Sequence, residues 1–501
     1  MSEYSHHPIG LAERLRPDIT PEMGFQSYEL LSGDSEYRKT QERLFLAGKI
    51  RNPHLDYPKL DENLLHRGIA QLDGILSESR TVDDSLAADA IWDTASYRMA
   101  EMYWLLEAKR LNELAEESPY SEEFFRSAER YQCANEELYG RPNERLAQQV
   151  LGEIITQANG KDLHPSAQRI LDEFVNGADI PLDDGEVVTL KGVGESQEGR
   201  LPSDIATKLT IFREVLKEDF DDVYQTIRCY WDDVIVPRSV KDELAAGFTV
   251  ADMKVLFERV HELRDPENLS GITIMIHPGS TQLAWDTPSM SVRIGANRKA
   301  ITSVDDMFAK IIHEYGVHAG RAVEGLKTDL PILGTGVYSS ADRNEASDYL
   351  TFEEGFASLA EIAIDGSFTD WKPLHVSRYL AAITAYRGAD FRQSFETNWR
   401  ARVLMTVAPG QEVTDELIER EKTQAYQFVM RLYRGTPTQL AEGPILTFNK
   451  DLAYLQGKLA ALHFIEVAGK DKELIRRAFL AKIDPMNHYQ KDLQQRYMPA
   501  V

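Results

Sequence analysis

The stretch Ile311-Ile312-His313-Glu314-Tyr315-Gly316-Val317-His318 decides how this chain is read. Two imidazoles with a carboxylate beside the first are the donor set of a hydrolytic zinc site. The histidines hold the cation and the glutamate accepts a proton from the attacking water. The familiar zinc-peptidase helix places two residues between the glutamate and the second histidine; here there are three. A step of four residues turns about 40° past a full circle and a step of five about 140° past it, so a regular helix would point His313 and His318 apart. A single π-bulge absorbs one extra residue and restores a shared face. Gly316 lies inside the insertion, where its missing side chain eases the distortion. The spacing therefore predicts a widened turn between residues 313 and 318.

Catalytic zinc usually has three protein ligands and one open position. Downstream, residues 342 to 364 read as a helix whose Leu350, Ala357, Leu359, Ala360 and Ala363 face a neighbour. Glu353, Glu354 and Glu361 interrupt this small, apolar stretch, where a carboxylate is costly unless paired or bound to a metal. Glu354 and Glu361, seven residues apart, share nearly one face, roughly 10 Å apart along the axis. Gly355, Ala357 and Ser358 are small enough to let the metal-bearing helix approach closely.

With these residues in place, the pairing of His-Glu-x-x-x-His with a later Glu353-Glu354-Gly355-Phe356-Ala357 resembles the tyrosine/glutamate carboxypeptidase family of zinc peptidases. That family includes the microtubule-associated tyrosine carboxypeptidases and bacterial relatives with a Gln-Glu-Gly-Leu-Ala motif. The likeness extends to Asn52-Pro53-His54-Leu55-Asp56-Tyr57, to Arg431-Leu432-Tyr433-Arg434-Gly435, and to Phe448-Asn449-Lys450-Asp451-Leu452-Ala453-Tyr454-Leu455-Gln456-Gly457. The resemblance implies zinc (Zn2+) ligands at His313, His318 and Glu354, with Glu314 as general base. Glu353 stands where the family usually has Gln and Phe356 where it has Leu; neither departure removes a ligand.

A carboxypeptidase also grips the terminal carboxylate, and arginine suits this because its planar fork binds two oxygens at once. The candidates are Arg293, Arg298, Arg321, Arg431 and Arg434. Arg321, three residues past His318, is expected to face the same cleft. Tyr338, Tyr349 and Tyr433 are candidate oxyanion donors, Tyr433 also a substrate-binding candidate. His261-Glu262 is a decoy, because no second histidine follows at useful spacing.

The formal net charge of −25 argues against general nucleic-acid binding. It also cautions against carrying over the relatives' preference for an acidic tubulin tail. Hydrophobic residues at 43% and charged residues at 27% fit a globular protein. No apolar run is long enough for a membrane span, and the first residues lack an apolar signal core. Cys133 and Cys229 form no metal or redox motif, so the expected location is cytoplasmic.

A length of 501 residues exceeds one average core. The expected fold is α+β and mainly helical: an irregular lead-in over residues 1–57, a helical N-terminal subdomain over 58–230, and a metallopeptidase catalytic domain over 231–501. Three- and four-residue apolar steps from Glu62 to about Leu171 read as helices. Residues 182 to 202 read as a loop or short hairpin, and a capped helix is expected near Ser203 and Asp204. Residues 234–236, 272–276 and 291–294 are β-branched runs read as strands. The metal helix is expected to start near Ser303, with Asp305 and Asp306 in its first turn. Residues 290–295 are the expected edge where an extended substrate adds by backbone hydrogen bonds. Helices resume after Asp370.

The function expected is a zinc metallocarboxypeptidase, a hydrolase and metalloprotease acting on a peptide or protein C-terminus. The alternatives are an inactive family member acting as a regulator or binding protein, and an aminopeptidase or dipeptidyl peptidase, since one dipeptidyl peptidase also spaces its histidines five apart. A helical di-iron carboxylate protein would need two Glu-x-x-His pairs, and no second pair is seen.

Overall fold

The computed structural model describes residues 8–498 apart from 18, 195–198, 243–244, 269, 340–346, 367, 369 and 441–442. The architecture is mainly helical α+β. Among the described residues no helix is long and apolar enough to cross a membrane.

The N-terminal helices form where the sequence places caps. Asp61 accepts from the backbone N–H groups of Asn63 and Leu64 and starts the helix Glu62–Ser79. Asp84 does the same for Ser85–Glu117 through Leu86 and Ala87. Each such cap satisfies donors that the helix itself leaves orphaned. The lead-in departs from expectation. Helices span Pro8–Arg14, Ser27–Leu30 and Ser35–Leu46, and Leu11, Leu15, Met23 and Leu31 are buried. Pro8 and Pro21 open their turns, where a missing N–H costs nothing, rather than breaking them.

Residues 177–191 form an antiparallel hairpin, β1 (Gly177–Pro181) with β2 (Val187–Lys191). The run Val234-Ile235-Val236 is not a strand. It falls across the end of a π-helical turn, Trp231–Ile235, and the start of a helix at Val236. Ile235 is fully buried while Val234 and Val236 are exposed. Helical packing of Val223, Ile227 and Ile235 in one apolar cluster overrides the β-branched preference.

Beside the metal helix lies a three-stranded sheet in the order β3 (Thr273–His277), β5 (Ser291–Gly295), β4 (Leu283–Asp286). β5 runs parallel to β3 and antiparallel to β4. β5 is therefore the central strand, with both backbone edges occupied, and cannot be the substrate edge expected for residues 290–295. β3 and β4 are the two outer strands, and β4, too short to announce itself by alternation, is the one whose residues line the cleft described below.

Two apolar clusters hold the chain together, and neither follows the order of the sequence. One joins Leu65, Trp104 and Tyr131 to Leu330, Leu333, Phe448 and Ile483. The other joins Val150 and Phe212 to Ile311, Val317, Phe356 and Phe464. The helix Tyr349–Asp365 is shorter than the residues 342–364 expected. Ser347–Asp348 pair with Tyr338–Ser339 as a two-residue ribbon, and 342–346 lie outside the described residues. Gly355 of this helix meets Gly457 of the helix Ala453–Ala468: a Cβ on Gly355 would strike the Gly457 backbone, and one on Gly457 would strike the Thr351 carbonyl oxygen. The small residue thus admits the C-terminal helix rather than the metal helix.

Candidate metal centre and substrate cleft

Ser303 caps the metal helix, accepting from the Asp306 N–H at 3.0 Å, and Asp305 and Asp306 sit in its first turn as expected. The helix runs as α over Val304–Ile311, widens to π over Ile312–Ala319, and returns to α over Gly320–Leu326. The extra residue is absorbed within one rod. His313 and His318 consequently share a face, with ring centroids 5.1 Å apart. His261 helps hold the turn: its Nδ1 lies 2.7 Å from the Tyr315 hydroxyl and its Nε2 2.9 Å from Asn268 Oδ1. Both ring nitrogens are engaged, so His261 is a structural residue.

Ligand atoms of His313, Glu314 and His318 all lie within 4.8 Å of one another. Behind each imidazole stands a carboxylate. Glu353 Oε1 is 2.8 Å from His318 Nδ1, and Glu361 Oε1 is 2.6 Å from His313 Nδ1. Glu361 is held in turn by Lys310 at 2.8 Å. A hydrogen bond of the kind His318 makes to Glu353 fixes the tautomer and ring orientation of a metal-ligating histidine and leaves Nε2 as the ligand atom, whereas the Glu361 contact to His313 is an ion pair without hydrogen-bond geometry. Glu354 lines the same cleft from the helix Tyr349–Asp365. The donor set fits a borderline-soft divalent cation such as zinc.

The electrostatics agree. Burial opposes protonation of His313, but Glu314, Glu361 and Glu354 outweigh it and lift the imidazole to about 9. A pocket that holds a proton so firmly has negative charge to spare for a cation. Burial pushes Glu314 above the usual carboxylate range, against the opposing pull of His313 and His318. Its Oε2 accepts the backbone N–H of Trp285 at 2.8 Å, which ties this carboxylate to strand β4. Burial would also raise Glu353 and Glu361. Lys482, His318 and Arg321 hold Glu353 at about 2; His313 and Lys310 hold Glu361 there too.

His313, Glu314, His318, Glu353 and Glu354 line one side of a cleft of about 740 Å3. β4 and the turn after it form its rim through Leu283, Trp285, Thr287 and Pro288. The opposite wall is cationic. Arg431 pairs with Asp451 at 2.6 Å, Arg378 lies 3.6 Å from the same carboxylate, and Arg434 stands beside them. Burial and the neighbouring Arg431 lower Arg434 to about 10, and its Nε has no hydrogen-bond partner among the described residues. The guanidinium of Arg378 sits 3.9 Å from the Tyr454 ring centroid.

Of the substrate candidates, Arg431, Arg434, Arg298, Tyr338 and Tyr349 line this cleft. Arg321 does not. It is fully buried behind His318, where it donates to the carbonyl oxygens of Ala481 and Ile483 and to Glu353. Backbone acceptors that no water can reach draw the guanidinium away from the open side. Arg293 is spent on Asp286 at 2.6 Å and Glu29 at 3.5 Å. Tyr433 is buried elsewhere, donating to Ala389 O at 2.8 Å beside the Ser394 hydroxyl. Sequence reasoning missed Arg378, whose signal is a lone charge before the apolar run of Tyr379 to Ala385. Tyr454 stood in the family-like segment Phe448–Gly457 but was given no role, and nothing local distinguishes the counter-charge Lys482.

No curated protein and no solved structure gives a significant match to the chain. A family model, described as Microtubule-associated tyrosine carboxypeptidase, matches residues 274–492. The matched segment contains both histidines, Glu314, Glu354 and the arginine wall, and excludes the Asn52–Tyr57 motif. Over residues 274–492, rather less than half of its length, this chain is similar to the microtubule-associated tyrosine carboxypeptidases.

Proposed function

We propose that this chain is a zinc-dependent carboxypeptidase that removes the C-terminal residue of a peptide or protein. The observation that carries the reading is the π turn over Ile312–Ala319, which gathers His313, Glu314 and His318 at a cleft whose far wall holds Arg378, Arg431 and Arg434. His313, His318 and Glu354 would hold the zinc ion. When bound, the ion would supply Lewis acidity toward water and the scissile carbonyl.

The chain's own residues do the rest. Glu314, steered by the Trp285 N–H, takes a proton from the attacking water and returns it to the leaving amine. The free edge of β4 offers backbone groups to an extended substrate. Arg434, whose guanidinium is the least committed of the three, grips the terminal carboxylate, with Arg378 and Arg431 set by Asp451 beside it. Tyr338, Tyr349 and Tyr454 line the cleft as hydroxyl donors for the developing oxyanion. An intact Glu314 speaks for an enzyme over a regulator that merely keeps the fold. The free cysteines Cys133 and Cys229 support a cytoplasmic home.

The test is incubation of the purified protein with a mixed peptide library, beside Glu314→Gln and a chelator-treated sample. Loss of one C-terminal residue in the untreated wild type alone supports the proposal. Cleavage from the amino end would replace it with an aminopeptidase.

A further inference from the structure

Beneath His318 lies a charge cluster almost wholly removed from water, with only Glu353 reaching the cleft lining. Glu353 is 1% exposed, and Arg321 and Lys482 are 0% exposed. Glu353 Oε1 meets both His318 Nδ1 at 2.8 Å and Lys482 Nζ at 2.5 Å; Oε2 accepts from Arg321 Nη1 at 3.0 Å. Lys482 comes from the far end of the chain and is pinned by its backbone. Its N–H donates to Leu333 O at 2.7 Å, and its C=O accepts from Val337 at 3.0 Å. Its ammonium also lies 5.5 Å from the Tyr349 ring centroid and 5.8 Å from that of Trp285. Burying three ionised side chains is costly, and replacing such a group by apolar residues is often neutral or stabilising. Stability alone does not account for it.

We propose that Glu353 is the positioning residue for His318, and that Lys482 and Arg321 are the buried counter-charges that hold it there. The inference rests on the metal reading above. Its chemistry is specific. A neutral imidazole offers Nε2 to a cation only if its Nδ1–H is donated elsewhere. Glu353 accepts that hydrogen bond from behind, and a carboxylate does so more strongly than an amide. Lys482 and Arg321 anchor both carboxylate oxygens, so the acceptor cannot rotate away. Cation affinity at the cleft is thereby set in part by a lysine that never reaches it.

Three variants separate positioning from mere structure: Glu353→Gln, Lys482→Met, and the two combined. The combined variant keeps the net charge of the cluster, because one negative and one positive charge leave together. Metal-free melting temperature and Zn2+ affinity, measured by competition with a chelating dye, are the readouts. Each single variant is expected to melt below wild type. The double variant is expected to recover most of the melting temperature yet bind Zn2+ about 10- to 100-fold more weakly. A double variant that binds Zn2+ as tightly as wild type would show that Glu353 only fills space. One that fails to fold would overturn the counter-charge assignment. Wild-type protein that binds no Zn2+ would remove the metal reading itself, and this inference with it.

Discussion

The two walls of the cleft are built in opposite ways. The imidazole wall comes from eight consecutive residues, Ile312–Ala319, and its geometry follows from helical spacing plus one inserted residue. The cationic wall comes from three segments far apart in sequence: Arg378 in the helix Pro373–Tyr386, Arg431 at the end of the helix Asp415–Leu432 with Arg434 in the turn after it, and Asp451 in a short 3-10 turn just before Tyr454 of the helix Ala453–Ala468. The first is short-range and reads out of the chain. The second exists only once distant helices meet. Their charges also oppose each other, which is what the proposed division between a cation-binding wall and a carboxylate-binding wall requires.

The sharpest way to break this division of labour is Glu314→Gln. Turnover should fall by about 10²- to 10⁴-fold, with zinc content unchanged, in a peptide hydrolysis assay paired with metal analysis. Persisting activity would move the proton acceptor to another residue. Next comes Arg434→Ala on the opposite wall. It should raise KM by roughly 10- to 100-fold, as expected for losing one charged hydrogen bond, while kcat changes far less. Arg434→Lys should not restore it, because an ammonium lacks the bidentate fork. An unchanged KM would hand the carboxylate to Arg378 or Arg431.

The arginine wall also makes an acid prediction. Burial opposes ionisation of Asp451, but Arg431 and Arg378 outweigh it and hold the carboxyl at about 2, below its ordinary value. A carboxyl with a depressed folded-state pKa stabilises the protein above its unfolded value and loses that contribution as pH falls toward the folded one. Between about pH 4 and pH 2, metal-free wild type should lose on the order of 2 kcal/mol from this residue. Melting of Asp451→Asn should lack that part of the slope; matching pH profiles for the two proteins would remove Asp451 from the account.

The smallest effect tests the first wall's backbone. A Cβ on Gly316 would approach Ile312 Cδ1 at 3.3 Å and Phe220 Cε1 at 3.4 Å, which is tight but not prohibitive. Gly316→Ala also gains up to about 1 kcal/mol of helix propensity. The net change in stability should stay below about 1 kcal/mol, with Zn2+ affinity nearly unchanged. A large loss of affinity would mean that the π turn depends on glycine at this position.

Much of the imidazole wall's backbone geometry was legible. The five-residue step between His313 and His318 demanded a π turn, Ser303 marked the helix start, and residues 272–276 and 291–294 lie at strands. Glu353 and Glu361 stood out as acids in an apolar stretch that had to be paired, as they are. The errors share one cause. Val234-Ile235-Val236 has β-branched residues but sits in helix, because burial of Ile235 against Val223 and Ile227 outweighs local preference. β5 was read as an edge, since strand order depends on partners that no single strand reveals. Arg321 was turned toward the cleft on helical phase alone, yet carbonyl groups of residues 481 and 483 claim it.

By itself, the amino-acid order determined the local constellation: two histidines, a glutamate and the backbone distortion that reconciles them, because helical periodicity acts over a few residues. Only the tertiary structure decided which arginines face the cleft, which strand offers its edge, and which buried cations stand behind His318. Those outcomes depend on contacts between segments tens to hundreds of residues apart. Burial and unsatisfied polar groups choose among them, and neither can be read until the chain has closed on itself.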